Sequence, residues 1–471
     1  MGERVTNPAS ALSPDFDQAR VGALSGTERC LAVLGGRLFA VGDRHSGRWL
    51  YELRPGGWQR HVPAGEWLHH IESGDAELRA WSGDPVSGDV LRGAGYSGRA
   101  WTERDIPGQP GHLGVLHPQE PFAYRERRAY PGMSVCEVSD TRSGEVVARW
   151  RAPTAGLPAW EDDTLWLRYE AWPRQELVGW SLRSRQVTQR LPLPVGALAN
   201  LIAAPGRAAA VWADPYTPTS VIAADSVPEL AAELNAFSPG FADRPYTVST
   251  VFVEDACAVV HTPPGDPIGR IMMLHGGPHS AVWPVYSPLV AFLCRLGWEV
   301  LAVNPRSSSL GSRFSPNACR YGVDDALDVA RLAEARDDGL PLVLAGWSYG
   351  AYLAGRAIGA GVRCAGLVAL SGFLTPETLE ASSHPAVKAF REARPLPGPD
   401  LDALAAVPLL AVHGRADDRI PLAAIRAEGT GHPAHTLLEL PGEGHGIVTD
   451  EGAARAYAGL AAWLTERRPG R

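Results

Sequence analysis

The feature that most constrains the fold is the pentapeptide Gly-Trp-Ser-Tyr-Gly at residues 346–350. An apolar run, residues 341–345, precedes it, and the segment 351–358 follows it. This order predicts a strand, a sharp turn and a helix. The serine in such a turn adopts a strained conformation, and its neighbours must be small where the strand and the helix approach each other. The pattern therefore predicts that Ser348 is an exposed nucleophile.

Strand-like and helix-like segments alternate through the C-terminal half of the chain. Predicted strands cover residues 271–274, 299–303, 366–370, 408–412 and 436–440, predicted helices cover 285–296, 324–335 and about 451–466, and residues 372–405 form an irregular, proline-rich excursion. Short apolar runs that alternate with amphipathic helices indicate a parallel sheet covered on both faces. We therefore predict a doubly wound α/β domain with a mostly parallel sheet.

The first half of the chain has a different pattern. Between residues 27 and 225, short β-like runs are separated by Gly, Pro, Asp and Ser, and most of the tryptophans lie there. Modules with a period of roughly 40 residues are typical of β-propeller blades. They open near Glu28, Glu66, His112, Gly156 and Gly196. We predict an all-β domain that is a small β-propeller of about five blades, with a β-sandwich as the alternative.

The pattern changes near residue 226, where helical spacing over residues 228–235 is broken by Ser-Pro-Gly at 238–240. Such a break is typical of a linker. We therefore predict a β-propeller-like domain over residues 1–225, with a short N-terminal arm, and an α/β-hydrolase catalytic domain over residues 226–471, joined by a hinge.

Two downstream residues can activate Ser348. A serine hydroxyl needs a base within hydrogen-bond reach, and the base needs an orienting carboxylate. Asp417 follows one predicted strand and His445 follows the next, and loops at the carboxyl ends of parallel strands converge on one edge of a sheet. The order Ser348, Asp417, His445 is that of the α/β hydrolases. It predicts a catalytic triad in which Asp418 is the only rival to Asp417.

The same chemistry requires hydrogen-bond donors for the oxygen of the tetrahedral intermediate. The backbone N–H of Tyr349 is one predicted donor, and the N–H of Gly277, in the glycine-rich loop after the third strand of the domain, is the other. We expect the neighbouring histidines, His275 and His279, to hold that loop. Glu443 is expected to be a solvated or loop-bonding carboxylate.

Charge and cysteine spacing exclude several other functions. A net charge of −8 and an isoelectric point near 6.0 argue against a surface for nucleic acid or anionic membranes. The six cysteines lack Cys-x-x-Cys spacing, which argues against a zinc site or a dense disulfide framework. The N-terminus lacks a signal-like apolar region, and no apolar run approaches the roughly 18 residues of a membrane span. We expect a cytoplasmic protein that uses no metal or organic cofactor.

The C-terminal half resembles the prolyl oligopeptidase family of serine peptidases, especially the acylaminoacyl and dipeptidyl peptidases. The resemblance covers about residues 245–467, and its motifs are His-Gly-Gly-Pro at 275–278, Asn-Pro-Arg at 304–306 with Ser308, Gly311 and Phe314, Gly-Trp-Ser-Tyr-Gly at 346–350, His-Gly-x-x-Asp at 413–417 with Ile420 and Pro421, and Glu-Gly-His-Gly at 443–446. It implies an N-terminal β-propeller that covers the hydrolase site. It also implies the roles already given: nucleophile Ser348, acid Asp417, base His445, and donors Tyr349 and Gly277.

Some features depart from the family pattern. Ser307 and Ala351 stand where family members usually have glycine, and the predicted propeller is shorter than is common in the family. We find no paired-glutamate segment of the dipeptidyl peptidase kind, so release of amino-terminal dipeptides is not predicted. Candidate anchors for a peptide terminus are the acidic run 161–163 for an amine and Arg125, Arg127 and Arg128 for a carboxylate. A solvated turn is the alternative for each.

The sequence as a whole predicts a serine peptidase that hydrolyses short peptides through an acyl-enzyme. An esterase or an acyltransferase would use the same residues with a different substrate or acceptor. A catalytically silent binding protein, in which the propeller is the working part, is the third hypothesis. An active site that is covered by the propeller would admit short peptides and exclude folded proteins. The expected ligand is a peptide or small acyl substrate, and the oligomeric state is left open.

Overall fold

The computed structural model describes most of the chain between Leu31 and Arg467. The described residues are 31–34, 37–44, 47–54, 57–60, 68–73, 78–83, 90–96, 101–103, 114–116, 120–130, 133–154, 158–204, 206–217, 219–236, 244, 246–278, 280–310, 319–393, 395–429, 434–447 and 449–467. The chain divides into two compact units. The N-terminal unit is Met1–Phe241 with Trp283–Ser287, and the C-terminal unit is Ala242–Val282 with Pro288–Arg471.

The described part of the N-terminal unit contains five antiparallel sheets, each built from consecutive strands. The strands of the first two sheets are β1 (Leu31–Leu34), β2 (Arg37–Arg44), β3 (Gly47–Arg54) and β4 (Gly57–Arg60), then β5 (Leu68–Ser73), β6 (Leu78–Gly83), β7 (Val90–Tyr96) and β8 (Trp101–Glu103). Those of the third and fourth are β9 (Gly114–Leu116), β10 (Phe122–Tyr130), β11 (Met133–Asp140) and β12 (Val146–Ala152), then β13 (Ala159–Glu161), β14 (Thr164–Ala171), β15 (Arg174–Ser181) and β16 (Gln186–Pro192). The fifth holds β17 (Ala197–Ala204), β18 (Arg207–Ala213) and β19 (Ser220–Ala224). Each sheet opens close to one of the five predicted module openings.

Tryptophan side chains of the fourth and fifth sheets lie in two buried clusters. Trp166 and Trp212 are buried in one cluster and Trp180 in a second. A β-carbon placed on Gly179 would lie 3.0 Å from the ring of Trp166, so the chain has glycine where the indole crosses the neighbouring strand. The indole rings are therefore part of the packed core.

In the described part of the N-terminal unit, a helix, α1 (Val227–Ala236), follows the fifth sheet. Its residues Val227, Leu230 and Leu234 are buried in the same cluster as Trp212 of the fifth sheet. This i, i+3, i+7 spacing places one apolar face on the sheet. The helix predicted over residues 228–235 is therefore present, and it packs with the sheets that precede it.

The C-terminal unit contains one eight-stranded sheet in the order β20-β21-β23-β22-β24-β25-β26-β27. Its strands are β20 (Thr247–Val253), β21 (Ala256–Thr262), β22 (Gly269–Leu274), β23 (Trp298–Asn304), β24 (Leu342–Trp347), β25 (Gly366–Leu370), β26 (Leu409–Gly414) and β27 (His435–Leu440). The pairs β20–β21 and β21–β23 are antiparallel, and the other pairs are parallel. The sheet is therefore mostly parallel, as predicted.

Helices cover this sheet. They are α2 (Pro288–Arg295), α3 (Asp324–Ala335), α4 (Tyr349–Gly359), α5 (Pro385–Ala393), α6 (Leu401–Ala405), α7 (Leu422–Gly429) and α8 (Asp450–Thr465), and a 3₁₀ segment spans Pro376–Ala381. Central strands such as β23 and β25 are buried at every position because both faces are covered. No helix in the described ranges is long and apolar enough to cross a membrane.

Two predicted segments differ from the structure. The helix predicted over 285–296 begins only at Pro288, a residue that is favoured at the first position of a helix because it has no N–H to donate. The excursion predicted as irregular over 372–405 contains the 3₁₀ segment, α5 and α6. Pro385 is tolerated in α5 because it is the first residue, and the Asp400 carboxylate caps α6 by accepting from Ala403 N–H at 3.0 Å.

Candidate active site

Ser348 occupies a strained turn between β24 and α4. Its φ and ψ are +52° and −119°, in the left-handed half of φ that side chains other than glycine rarely adopt. A β-carbon on Gly350 would lie 2.2 Å from the carbonyl oxygen of Leu274. The Ser348 N–H donates to the carbonyl of Leu370 at 3.0 Å. The turn is thus held from two neighbouring strands, and glycine is required at position 350.

The structure brings Ser348, His445 and Asp417 together. His445 Nε2 lies 3.1 Å from Ser348 Oγ, and His445 Nδ1 lies 2.9 Å from Asp417 Oδ2. Because a carboxylate only accepts, Nδ1 carries the hydrogen, and Nε2 is left to accept from the serine hydroxyl. The three side chains form one continuous series of hydrogen bonds. Asp417, and not Asp418, is the carboxylate bonded to His445.

The Asp417 carboxylate is fully buried and has several donors. Its Oδ1 accepts from the N–H groups of Arg419 (2.9 Å) and Ile420 (2.8 Å). Its Oδ2 lies 3.2 Å from His413 Nε2. Burial alone raises the pKa of Asp417, but the hydrogen bonds from His413 and His445 outweigh it, so its pKa lies well below the usual range. Asp417 is therefore ionised at neutral pH.

His413 is a supporting residue that the sequence reasoning missed. It is 1% exposed, and its Nε2 also lies 2.8 Å from the carbonyl oxygen of Ile420. Since that carbonyl only accepts, Nε2 carries the hydrogen and can also point to Asp417. Its position at the head of the His-Gly-x-x-Asp motif was the available signal.

The two predicted oxyanion donors flank Ser348. Tyr349 is the first residue of α4, so no carbonyl of the helix can accept from its N–H. Gly277 has a φ of +126°, which favours glycine. A β-carbon on the adjacent Gly276 would lie 3.3 Å from Ser348 Cβ, so this loop lies directly against Ser348. Gly277, Tyr349 and Ser348 line the same pocket.

His275 holds the glycine loop. Its Nδ1 lies 2.7 Å from the carbonyl of Gly276, and its Nε2 lies 2.7 Å from Ser308 Oγ. Since the carbonyl accepts the Nδ1 hydrogen, Nε2 accepts from the serine. Burial lowers the pKa of His275, so the ring is neutral and fully engaged. His279 lies outside the described residues.

Glu443 joins the loops that carry the histidine and the aspartate. It is buried, and its Oε1 accepts from the N–H of Thr449 at 2.9 Å and from the Thr449 hydroxyl. Its own carbonyl accepts from Ala416 N–H at 2.8 Å. Of the two roles open to this residue, loop bonding is the one observed.

A pocket of about 260 Å³ opens beside the serine. Its walls are mostly apolar, with Arg419 as the added charge, and are formed by Trp347, Phe373, Leu379, Ala386, Val387, Phe390 and Ile420. Several of these residues come from the segment between β25 and β26. The sequence pattern predicts an irregular segment there and gives no sign that it belongs to the site.

A half-buried carboxylate anchors the near wall of this pocket. Glu428, on α7, accepts from the N–H groups of Leu374 (3.0 Å) and Thr375 (2.7 Å) and from the hydroxyl of Thr378 (2.6 Å). Burial raises its pKa above the ordinary value. These bonds fix the chain between Phe373 and Leu379, both of which face the pocket.

The two positions that depart from the family pattern are buried. A β-carbon on Gly372 would lie 2.3 Å from Ala351 Cβ, so Ala351 fills the space beside Gly372, next to the serine turn. Ser307 is 1% exposed and does not line the pocket.

Among the described residues, no cluster of three or more His, Cys, Asp or Glu side chains could hold a metal.

The candidate anchors for a peptide terminus have other partners or lie at the surface. Glu161 accepts from Trp166 Nε1 at 2.9 Å and from Val227 N–H at 2.8 Å. Asp163 accepts from Ser181 Oγ at 2.7 Å. Arg125 is exposed on β10, and the side chains of Arg127 and Arg128 lie outside the described residues. The acidic run therefore has a structural role within the N-terminal unit.

The order of the strands and the serine turn after the fifth of them define the C-terminal unit as an α/β hydrolase. Residues 284–468 match the model of the prolyl oligopeptidase family, peptidase S9. This match covers the part of the chain that carries Ser348, Asp417 and His445, and it indicates a hydrolase of the serine peptidase type.

Several solved structures share this fold over both halves of the chain. A puromycin hydrolase is 18% identical, with a TM-score of 0.63 over 97% of this chain and 96% of its own. A puromycin-hydrolysing peptidase of Mycobacterium tuberculosis is 18% identical, with a TM-score of 0.62 over 98% and 89%. An acylaminoacyl peptidase of Pyrococcus horikoshii is 12% identical, with a TM-score of 0.61 over 93% and 87%. At these identities the likeness shows the fold, an α/β-hydrolase domain with an N-terminal β domain. No curated protein sequence matches the chain.

Proposed function

We propose that the chain hydrolyses short peptides through an acyl-enzyme on Ser348, with His445 as the base and Asp417 as the orienting acid. The observation that carries the proposal is the series of bonds from Ser348 Oγ to His445 Nε2 (3.1 Å) and from His445 Nδ1 to Asp417 (2.9 Å). His445 takes the hydroxyl proton as Oγ attacks the scissile carbonyl, and then gives it to the leaving amine. The ionised Asp417 holds the ring in the required tautomer and stabilises the imidazolium. Water then attacks the acyl-enzyme by the same route.

The negative charge of the tetrahedral intermediate needs donors close to Ser348. In the proposal these are the N–H groups of Tyr349 and Gly277. The N-terminus of α4 adds the positive end of a helix dipole at the same place. Two donors and a helix terminus together favour an oxyanion there over a neutral carbonyl.

The pocket suggests which substrates are taken. Apolar walls such as Phe373, Leu379 and Phe390 suit an apolar side chain on the acyl side of the scissile bond. We also propose that entry is limited to peptides of about 30 residues or fewer, as expected for a small, gated site. Cleavage of native albumin as fast as its short peptides would contradict this limit.

We also propose that the five sheets described in the N-terminal unit form a β-propeller. Strand β1 of the first sheet contacts both β5 of the second and β17 of the fifth. Contact between the first and last sheets is what closure of a ring requires. A β-sandwich would instead place two sheets face to face.

The experiment is labelling with a fluorophosphonate probe, followed by product analysis on a peptide panel. We expect the probe on Ser348, mapped by mass spectrometry, and no labelling of Ser348→Ala. Peptides should give free acids, and addition of a competing amine shows whether an acyl group is transferred instead. Absence of labelling and of any cleavage in the wild-type protein would reject the proposed function in favour of a binding protein.

A further inference from the structure

The residue that follows the proposed nucleophile is held by a buried carboxylate. Tyr349 Oη donates to Asp325 Oδ2 at 2.7 Å. The N–H of Gly322 donates to Asp325 Oδ1 at 2.7 Å and lies 3.1 Å from Tyr349 Oη. Asp325 is 0% exposed and Tyr349 is 2% exposed. Two residues that are 24 positions apart in the sequence thus share one closed network.

Asp325 is a well-placed anchor because it is itself fixed. It lies in the first turn of α3, where the helix dipole favours a carboxylate. Both of its oxygens accept hydrogen bonds, one from Gly322 and one from Tyr349. The turn at Gly322 is in turn tied to α4, because Arg356 Nε donates to its carbonyl at 2.8 Å. The anchor therefore connects α3 to α4 directly beneath the serine turn.

The ring of Tyr349 is also fixed on its sides. It packs edge-on against Phe390, a wall of the pocket, at 6.1 Å between centroids, and against Tyr321 at 6.5 Å. Tyr352 lies 5.5 Å away. Tyrosine has two side-chain torsions, so contacts along the ring and a bond at Oη restrict both. The position of its Cα, and with it the direction of its N–H, is then restricted too.

We infer that Asp325 is a positioning residue for the oxyanion site, acting through the side chain of Tyr349. It keeps the Tyr349 N–H directed at the oxygen that becomes negative in the transition state. The inference rests on the proposed function, since it assigns a role within that reaction. Asp325 does not touch the substrate, so its effect should appear in turnover and in the binding of transition-state analogues, with little effect on KM.

The test compares Tyr349→Phe and Asp325→Asn with two matched controls. Tyr352→Phe removes a hydroxyl from the same helix, one that donates to the carbonyl of Pro397 at 2.7 Å. Asp324→Asn alters the neighbouring carboxylate, which pairs with Arg320. Each variant is assayed for kcat and KM on a cleaved peptide, and for affinity toward a peptide aldehyde, which forms a tetrahedral adduct on serine.

We expect kcat to fall about tenfold in Tyr349→Phe and Asp325→Asn, less than the loss of a whole oxyanion donor. KM should stay within about twofold, and the affinity for the aldehyde should fall by the same factor as kcat. The double variant should have a kcat no lower than that of either single variant, as expected for coupled residues. Both controls should keep kcat within about twofold. Tyr352→Phe keeps the ring beside Tyr349, and neither altered group is hydrogen-bonded to Tyr349 or Asp325.

Several results would overturn the inference. These are wild-type kcat in Tyr349→Phe, an effect confined to KM, equal losses in the controls, or a loss fully explained by the unfolded fraction in thermal unfolding. Phenylalanine keeps the ring, so Tyr349→Phe decides the matter even where Asp325→Asn does not fold. A wild-type protein that cleaves no peptide would reject the proposed function itself, a distinct result from an active wild type with unaffected variants.

Discussion

Gly346 and Gly350 approach each other so closely that a β-carbon on Gly346 would lie 2.1 Å from the carbonyl carbon of Gly350. The conflicting atoms are backbone, which no rotamer change can move away. The first glycine of the pentapeptide is therefore required by the closeness of strand and helix, and the second by the neighbouring strand. The strain at Ser348 between them is maintained by this packing.

Gly346→Ala should lose activity and stability together. We expect the free energy of unfolding to fall by about 3 kcal/mol or more, because overpacking against backbone cannot be relieved locally. Labelling by a fluorophosphonate should fall in parallel, since the turn must open to admit the methyl group. Gly398→Ala is the control, because a β-carbon there meets nothing within 4 Å. Equal unfolding midpoints for the two variants would contradict the packing argument.

Ser348→Ala should abolish turnover and leave the fold intact. Loss of the nucleophile in a triad lowers kcat by on the order of 10⁴ to 10⁶. Steady-state kinetics on a cleaved peptide measures the loss, and circular dichroism with thermal unfolding checks the fold. Wild-type rates in this variant would show that another residue is the nucleophile.

Asp325 should make stability depend on pH in the direction opposite to Asp417. Burial raises the pKa of Asp325 from 3.8 to about 6, against the hydrogen bond from Tyr349. The folded state then holds this proton more tightly than the unfolded state, so the wild type loses stability as the pH rises from about 4 to about 6. The other titratable groups that interact with Asp325 are Cys319 and Tyr352.

Asp325→Asn removes this dependence. Relative to the wild type, its free energy of unfolding should improve by up to about 3 kcal/mol between pH 4 and pH 7, since two pKa units correspond to that amount. Denaturant unfolding at several pH values measures it, with Asp324→Asn as the control. A constant difference across this range would contradict the raised pKa. A variant that is more stable at pH 7 but slower would separate the positioning role from a purely structural one.

Val387→Asp should change which peptides are cleaved. The side chain of Val387 lines the apolar pocket, so a carboxylate there penalises apolar acyl-side residues by roughly tenfold or more in kcat/KM, as expected for a mismatched pocket contact. Basic acyl-side residues should improve relative to them. Ala389→Asp adds the same charge at an exposed position of the same helix and should leave the ranking unchanged. An unchanged ranking in Val387→Asp would exclude this pocket as the acyl-side site.

Much of the sheet follows from local sequence. The helix predicted over 324–335 and the strand predicted over 366–370 have those bounds in the structure. Each has a strong periodic or apolar pattern and clear boundaries, so propensity and packing agree. The strand, turn and helix around Ser348 follow from the same local signals.

What the sequence by itself determined is the set of elements whose pattern is local, together with the residues Ser348, Asp417 and His445 that follow the strands. Only the tertiary structure decided which side chains meet across different elements. These contacts are the bond from Tyr349 to Asp325, the bond from His413 to Asp417, and the pocket walls that residues 372–405 supply. A period of two or 3.6 residues reports which face of an element is buried, but not which side chain lies opposite. Hydrogen bonds between loops depend on how the sheet brings its strand ends together, and such contacts leave no periodic signal in the sequence.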